Sequence, residues 1–303
     1  MKKILFNGIP MATLLCAMVI TTLFSSCNSK DDEQMIDQQP VELKITAGIV
    51  ATRAVNASWS TGDQIGVFAM DGGTAEYSNV LYTTANGDGN FTAEEGKSIM
   101  LPYDGSSRTI AAYYPYTNGI TNGEYKIDVS DQQNQEAIDL LVATPVNNVS
   151  KKSPIAALDF AHKLVKVELT LKPGEGITAD QLAYMKVTIS NQYTEGTCDV
   201  INNGNVVASG NNNNTVTFQT SADGTTSEAI LLPAATTENM ILTFDVPGAG
   251  TYTWEVNSAA KSKSFGAGNK YKYDISINKT SLTVNSTIED WNDGNGGENG
   301  NAL

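Results

Sequence analysis

"VELKITAGI", residues 41–49, sends Val41, Leu43, Ile45, Ala47 and Ile49 to one side of an extended chain and Glu42, Lys44, Thr46 and Gly48 to the other. A period of two with apolar residues on one face is the pattern of a half-buried β-strand. The pattern recurs in "HKLVKVELTLK", residues 162–172, where Leu164, Val165 and Val167 stand among alternating charges and Leu169 and Leu171 follow. It recurs again in "KYKYDISIN", residues 270–278, with Tyr271, Tyr273, Ile275 and Ile277 on one face and Lys272, Asp274 and Ser276 on the other. Between such runs lie "DGGTAE" (71–76), "TANGDGN" (84–90), "YTNGITNGEY" (116–125) and "SGNNNNT" (209–215), rich in the residues that tolerate the positive φ of tight turns. Helical patterning is confined to "TADQLAYMK" (178–186), where Thr178 is placed to cap a short helix with Leu182 and Met185 facing a core. The expected fold class is all-β, built of antiparallel β-sandwiches.

"NNVSKKSPIAA", residues 147–157, lacks alternation and carries Pro154, so it reads as the join between two strand-rich halves, 41–160 and 161–291. The last residues, 292–303, "NDGNGGENGNAL", read as a disordered tail. At the other end, Lys2 and Lys3 precede a stretch without charge from Ile4 to Ser26, the layout of a secretory signal over residues 1–26. Asn7, Gly8 and Pro10 make it a poor spanning helix, which needs about 20 clean apolar residues. The junction Leu23-Phe24-Ser25-Ser26-Cys27 resembles the lipobox of bacterial lipoproteins, with Phe24 where that pattern has Leu. The resemblance implies that Cys27 carries a diacylglyceryl group. Because each buried CH₂ contributes about 0.8 kcal/mol, more than one acyl chain holds a soluble domain at a bilayer surface. Residues 27–40, opening Asn28-Ser29-Lys30-Asp31-Asp32-Glu33, read as a flexible acidic tether. The run is open to two readings, a plain solvated linker or an acidic sorting signal for the outer face of an outer membrane.

The chain carries a net charge of −14. Loss of residues 1–26 removes two lysines and no acid, leaving 17 basic against 33 acidic residues, or −16. That sign repels nucleic acid and anionic lipid. Of the cysteines, Cys16 leaves with the signal, Cys27 is the anchor and Cys198 remains alone as a small buried residue. One histidine, His162, and one remaining thiol do not assemble a metal cluster or a catalytic triad. No G-x-S-x-G or H-E-x-x-H occurs, and "GDGN" (87–90) is too short for a calcium loop. Asp31 with Asp32 and Glu94 with Glu95 read as solvated carboxylates. Tyr113, Tyr114 and Tyr116, around Pro115, are either a carbohydrate-stacking platform or core and corner packing, and the strand rule sends Tyr113 and Tyr114 to opposite faces. Trp59, Trp254 and Trp291 read as anchors of cores or chain ends. No enzyme activity and no cofactor are expected.

In order along the chain stand "ITAGIVATRA", "WSTGDQIGVF", "AAYYPY", "YKIDVSDQQNQEAIDLLVA", "LDFAHKLVKVEL", "LLPA", "SFGAGNKYKYDISI" and "IEDW". This succession resembles the fimbrillin family, the pilins of type V pili of Bacteroidales, from the lipobox to Trp291. The resemblance implies a lipoprotein precursor of two tandem transthyretin-like β-sandwich domains, carried to the outer surface of the cell. It also implies cleavage by an Arg-specific protease. Arg53, in "VATRAV", matches the processing site, which makes Ala54 the first residue of the mature chain and releases the strand of Val41, Leu43, Ile45, Ala47 and Ile49 with the lipid.

If those side chains fill a groove, their removal uncovers a pocket and a row of unpaired backbone groups. Each large aliphatic contributes about 1.5 to 3 kcal/mol when fully buried. The open groove then favours strand addition from another molecule, and a head-to-tail contact of that kind grows into a filament. In the family the donor is the C-terminal segment of another subunit. Here that is "KTSLTVNSTIEDW", with Leu282, Val284 and, after an expected slip at Ser286, Ile288 as apolar knobs. The same segment also reads as a home strand of the second sandwich. The partners expected are other pilin subunits, the protease and, before processing, the outer membrane. A shaft, tip or anchor position stays open. The reading from another class is a surface glycan-binding lipoprotein that is not polymerised.

Overall fold

The computed structural model describes residues 38–50, 58–202, 204–259, 262–290 and 297–301. The expected signal, Cys27, the tether up to Asp37, Arg53 with Ala54, and Trp291 lie outside the described residues. The described chain is almost wholly β, with short helices at Gln135–Ile138 and Ala179–Leu182. Thr178 caps the latter, its N–H donating to Gln181 Oε1 at 2.9 Å, and Leu182 and Met185 are buried.

In the first half eight strands form one sheet, in the order Val146–Val149, Arg108–Tyr114, Gln64–Asp71, Thr74–Thr83, Asn90–Ala93, Lys44–Ile49, Ile155–His162 and Leu141–Ala143. Leu141–Ala143 also pairs with Arg108–Tyr114, so the sheet closes on itself around a core that includes Leu43, Ile45, Ile65, Val67, Phe91, Leu158 and Phe160. In the second half a six-stranded and a four-stranded sheet face each other. Val165, Val167, Leu169 and Leu171 lie beside Tyr271, Tyr273, Ile275 and Ile277 on one sheet and meet Val187, Ile189, Leu242 and Phe244 from the other.

Three features differ from the sequence expectation. The sheets are mixed, since Ile155–His162 runs parallel to Lys44–Ile49, and Val165–Pro173 runs parallel to Asn269–Asn278. Residues 147–157 are not a linker: they complete Val146–Val149, turn through Ser150–Ser153 and begin Ile155–His162. Pro154 stands just ahead of that strand, where its missing N–H is tolerated, and its carbonyl accepts from Lys44 N–H at 2.8 Å. The chain changes sheets at Lys163–Leu164 rather than at 160. Third, the expected disordered tail contains a strand, Gly297–Asn301, antiparallel to Ser281–Asp290. It satisfies backbone groups that would otherwise lie bare along that edge.

The halves are joined by more than the chain. Glu124–Asp128 of the first half pairs with Glu195–Asp199 of the second, over a cluster containing Phe68, Tyr113 and Leu140 from one side and Leu164, Cys198 and Ile230 from the other. Gln132 latches them. Its side-chain amide donates to Val129 O at 2.7 Å and Ile230 O at 2.9 Å, and its Oε1 accepts from Ile230 N–H at 2.8 Å. A buried primary amide thereby takes the place of one more strand. Gln132→Ala leaves those groups without partners, and we expect a loss of about 3 kcal/mol. Thermal unfolding should register this as a midpoint lower by about 6–12 °C for a body of this size.

Candidate functional site: the slot of the Lys44–Ile49 strand

The strand Lys44–Ile49 occupies an interior place in its sheet. On one side it runs parallel to Ile155–His162, from Lys44 opposite Ile155 to Ile49 opposite Phe160. On the other it is antiparallel to Asn90–Ala93, with Ile45 opposite Phe91 and Thr46 opposite Asn90. Just before it, Val41 and Glu42 pair with Leu101 and Met100. Its alternation is the one the sequence predicts: Leu43 and Ile45 are 2 % and 3 % exposed, Val41, Ala47 and Ile49 are half-buried, and the residues between them face solvent. Leu43 N–H donates to Ile99 O at 2.9 Å, Ala47 N–H to Gly89 O at 2.7 Å, and Val50 N–H to Phe160 O at 2.8 Å.

The most closely held point is Ala47. Its carbonyl accepts from Trp59 Nε1 at 2.8 Å. The indole is set edge-on against Phe91, Phe160 and Tyr114, with centroids 5.1, 5.1 and 5.5 Å away. Gly89, at φ +81°, closes the opposite side, where a Cβ would stand 2.4 Å from Ala47 O, so only glycine fits. Sequence reasoning read Trp59 as a core anchor and missed its polar contact, because nothing in "WSTGD" shows that the indole N–H meets a strand twelve residues upstream. Arg53 lies between the strand and Trp59 in the chain, outside the described residues. The only other arginine in the sequence, Arg108, is 7 % exposed, with its guanidinium donating to Glu76 and paired with Asp71 at 3.5 Å.

The C-terminal candidates lie in Ser281–Asp290, which pairs along its full length with Asn269–Asn278. Leu282 lies opposite Ile277, Val284 opposite Ile275, Ser286 opposite Tyr273 and Ile288 opposite Tyr271. Ser286 interrupts the apolar row with a small polar side chain and still faces inward, 3 % exposed, with the strand's register unbroken.

The remaining sequence candidates are structural. Tyr113 and Tyr114 face different cores. Tyr113 is fully buried, with its hydroxyl 2.7 Å from Asn79 Oδ1. Trp59 and Trp254 are buried as core anchors. His162 Nδ1 lies 2.9 Å from Asp139 Oδ1 at the end of its strand. Among the described residues no group of three or more His, Cys, Asp or Glu is placed to hold a metal ion. Cys198 is 1 % exposed, and burial pushes its thiol up to about 12. A thiolate is the reactive form. In a soluble form of the protein beginning after Cys27, we expect no labelling by a thiol reagent over hours at pH 8, and complete labelling once the protein is unfolded in denaturant, read by intact mass.

Against known proteins, residues 52–291 match the model of a family described as fimbrillin-like. A candidate fimbrium subunit of Bacteroides uniformis, Fim1C, is 43 % identical over 302 residues, covering 95 % of this chain and 98 % of that one. The crystal structure of a candidate cell-adhesion protein from Bacteroides uniformis superposes with a TM-score of 0.76 at 39 % identity, covering 83 % of this chain and 98 % of the other. A second such protein, from Bacteroides ovatus, gives 0.69 at 27 %, covering 84 % and 99 %. The tip fimbrial protein Mfa3 of Porphyromonas gingivalis, at 11 % identity and 0.51, shares the fold over 83 % of this chain and all of that one. These relatives are described as fimbrial or adhesion proteins rather than enzymes. With the match spanning most of its length and a relative of this identity along nearly all of it, the chain belongs to the fimbrillin-like family.

Proposed function

We propose that this protein is a structural and adhesive subunit of a cell-surface pilus, assembled by strand exchange after an Arg-specific protease cuts behind Arg53. It reaches the outer membrane as a lipoprotein held through Cys27. The cut separates the lipid and the strand of Val41–Ile49 from the body that begins at Ala54, and another subunit's strand fills the slot. The observation that supports this most is the burial of Leu43 and Ile45 in a strand bonded on both sides yet ending only a few residues before Arg53. Burying two such side chains contributes about 3–6 kcal/mol. An emptied slot also leaves six positions of Ile155–His162 without ladder partners. Main-chain pairing then supplies affinity and the alternate pockets supply selectivity.

The glycan-binding reading draws on exposed tyrosines, and two of the three that suggested it, Tyr113 and Tyr114, are spent on the two cores. The test is to incubate a soluble precursor starting after Cys27 with an Arg-specific protease. We expect a single new N-terminus at Ala54, followed by a ladder of oligomers on size-exclusion chromatography. A cut protein that stays monomeric at high concentration overturns the reading.

A further inference from the structure

Beside the crossing at Lys163–Leu164 a cavity of about 600 Å³ opens, walled by Val206, Pro233 and the turn at 267–269. That is the size of a small-molecule site, which spans about 300–1,000 Å³. Its lining is out of character for this chain. Acids outnumber bases 33 to 19 along the sequence, yet among the described residues no aspartate or glutamate lines the cavity and one lysine does. The ammonium of Lys163 has neither a hydrogen bond nor an ion pair among the described residues. His162, next to it in the wall, already has its Nδ1 2.9 Å from Asp139 Oδ1. Gly204, at φ +62°, is what lets the lysine lie where it does: a Cβ there would stand 2.5 Å from Lys163 Cε and 2.8 Å from Nζ. Burial pushes the Cys198 thiol up, and the Lys163 ammonium is close enough to act in the other direction. The charge therefore lies against the body of the protein rather than out in water.

Two more polar side chains line the same space, Asn205 and Asn269, and neither amide has a partner among the described residues. A primary amide both donates and accepts, as a sugar hydroxyl does. The geometry points to a binding site for a carboxylate-bearing sugar, a hexuronic or sialic acid on a glycan. The carboxylate meets the ammonium of Lys163, the ring hydroxyls meet Asn205 and Asn269, and the C–H face of the ring lies on Pro233 and Val206. A phosphate fits worse, because a dianion asks for several charged or fork-shaped donors and the cavity offers a single point charge. The site uses none of the tyrosines weighed above and needs no strand exchange; it gives the adhesive part of the proposed function a class of ligand. A second depression, of about 500 Å³, supplies the contrast: there Lys126 shares the wall with Glu124 and Asp199, so its charge is balanced and calls for no anion.

The test uses the uncut soluble precursor starting after Cys27 and titrates it, by calorimetry or ligand-observed NMR, with four probes. These are the methyl glycosides of glucuronic acid, of N-acetylneuraminic acid and of glucose, and acetate. We expect at least one acidic glycoside to bind about ten- to a hundredfold more tightly than the glucoside and than acetate. Lys163→Gln should bring the acidic glycosides down to the level of the glucoside. So should Lys163→Met, which keeps the apolar stem over Gly204 should the first variant fold poorly. Lys126→Gln, in the other depression, should leave the affinity within about twofold of the parent. Equal binding of acidic and neutral glycosides, binding of neither, or unchanged selectivity in a folded Lys163 variant overturns the site. Acetate bound as tightly as the acidic glycosides overturns the assignment to a sugar. No cut is made, so failure here leaves the strand-exchange reading standing, and failure of that reading leaves this site untouched.

Discussion

Arg53→Ala should abolish both cleavage and assembly: one band at full precursor mass after protease treatment, and one monomer peak. The size of the effect follows from how arginine is distributed. The chain has two, and the other, Arg108, is buried among Glu76, Asp71 and its own strand. A protease must draw several residues of extended chain into its cleft, which a side chain held at 7 % exposure within a closed sheet does not permit. With Arg53 gone there is no second site, so the expected result is all-or-none. A cut behind Arg108 in the native variant, or oligomers from uncut protein at the wild-type rate, would contradict it.

Cutting matters thermodynamically because it changes the standing of the strand rather than its contacts. While Val41–Ile49 is joined to Trp59 through a short segment, it competes for the slot at an effective concentration in the millimolar range, as for other short linkers. After the cut it competes only at its own bulk concentration, and if Cys27 is lipidated it stays behind at the membrane. A donor strand of similar composition need not bind better than the strand it replaces. If Ser281–Asp290 is the donor of the proposed exchange, giving it up would expose its home groove, while Leu282, Val284 and Ile288 would regain apolar contact in the new one. The exchange therefore comes close to balancing in side-chain burial. The direction is set by the covalent cut and by the slot it leaves unfilled.

How far this was legible in sequence depends on the range of the interaction involved. Alternation gave the strands of Leu43 to Ile49, Val165 to Leu171 and Tyr271 to Ile277, because each needs only its own residues and a nearby core. Thr178 and Leu182 gave the short helix for the same reason. Parallel pairing was invisible, since Lys44 meets Ile155 across more than a hundred residues and period two is identical in both directions. The Gly-Asn strand at 297–301 escaped notice because it contributes backbone to an edge and no apolar row. Gln132 reads as one more polar residue in "DQQNQ", although its amide replaces a strand. Within the site the apolar row was legible. The polar contacts of Trp59 and the inward place of Ser286 were not, since both are fixed by partners elsewhere in the chain.

Replacing both deep anchors of the slot, Leu43→Ala with Ile45→Ala, should produce the largest change in stability, and only in the uncut chain. Each substitution leaves a cavity in a closed core and costs about 2–5 kcal/mol, or about 4–10 kcal/mol together. Differential scanning calorimetry of the uncut variant should show a midpoint lower by about 8–40 °C. The same side chains leave with the N-terminal segment, so wild-type and variant give one identical body from Ala54 onward. Once cut and separated from the released segment, their unfolding curves and oligomer ladders should coincide. The uncut variant should behave differently from the uncut parent in a second way. With its strand weakened, local opening of the slot becomes frequent, and donor strands from a cut preparation should cap it without proteolysis. An uncut variant as stable as the parent would mean that Leu43 and Ile45 are not anchoring the fold, and with them would go the slot on which polymerisation depends.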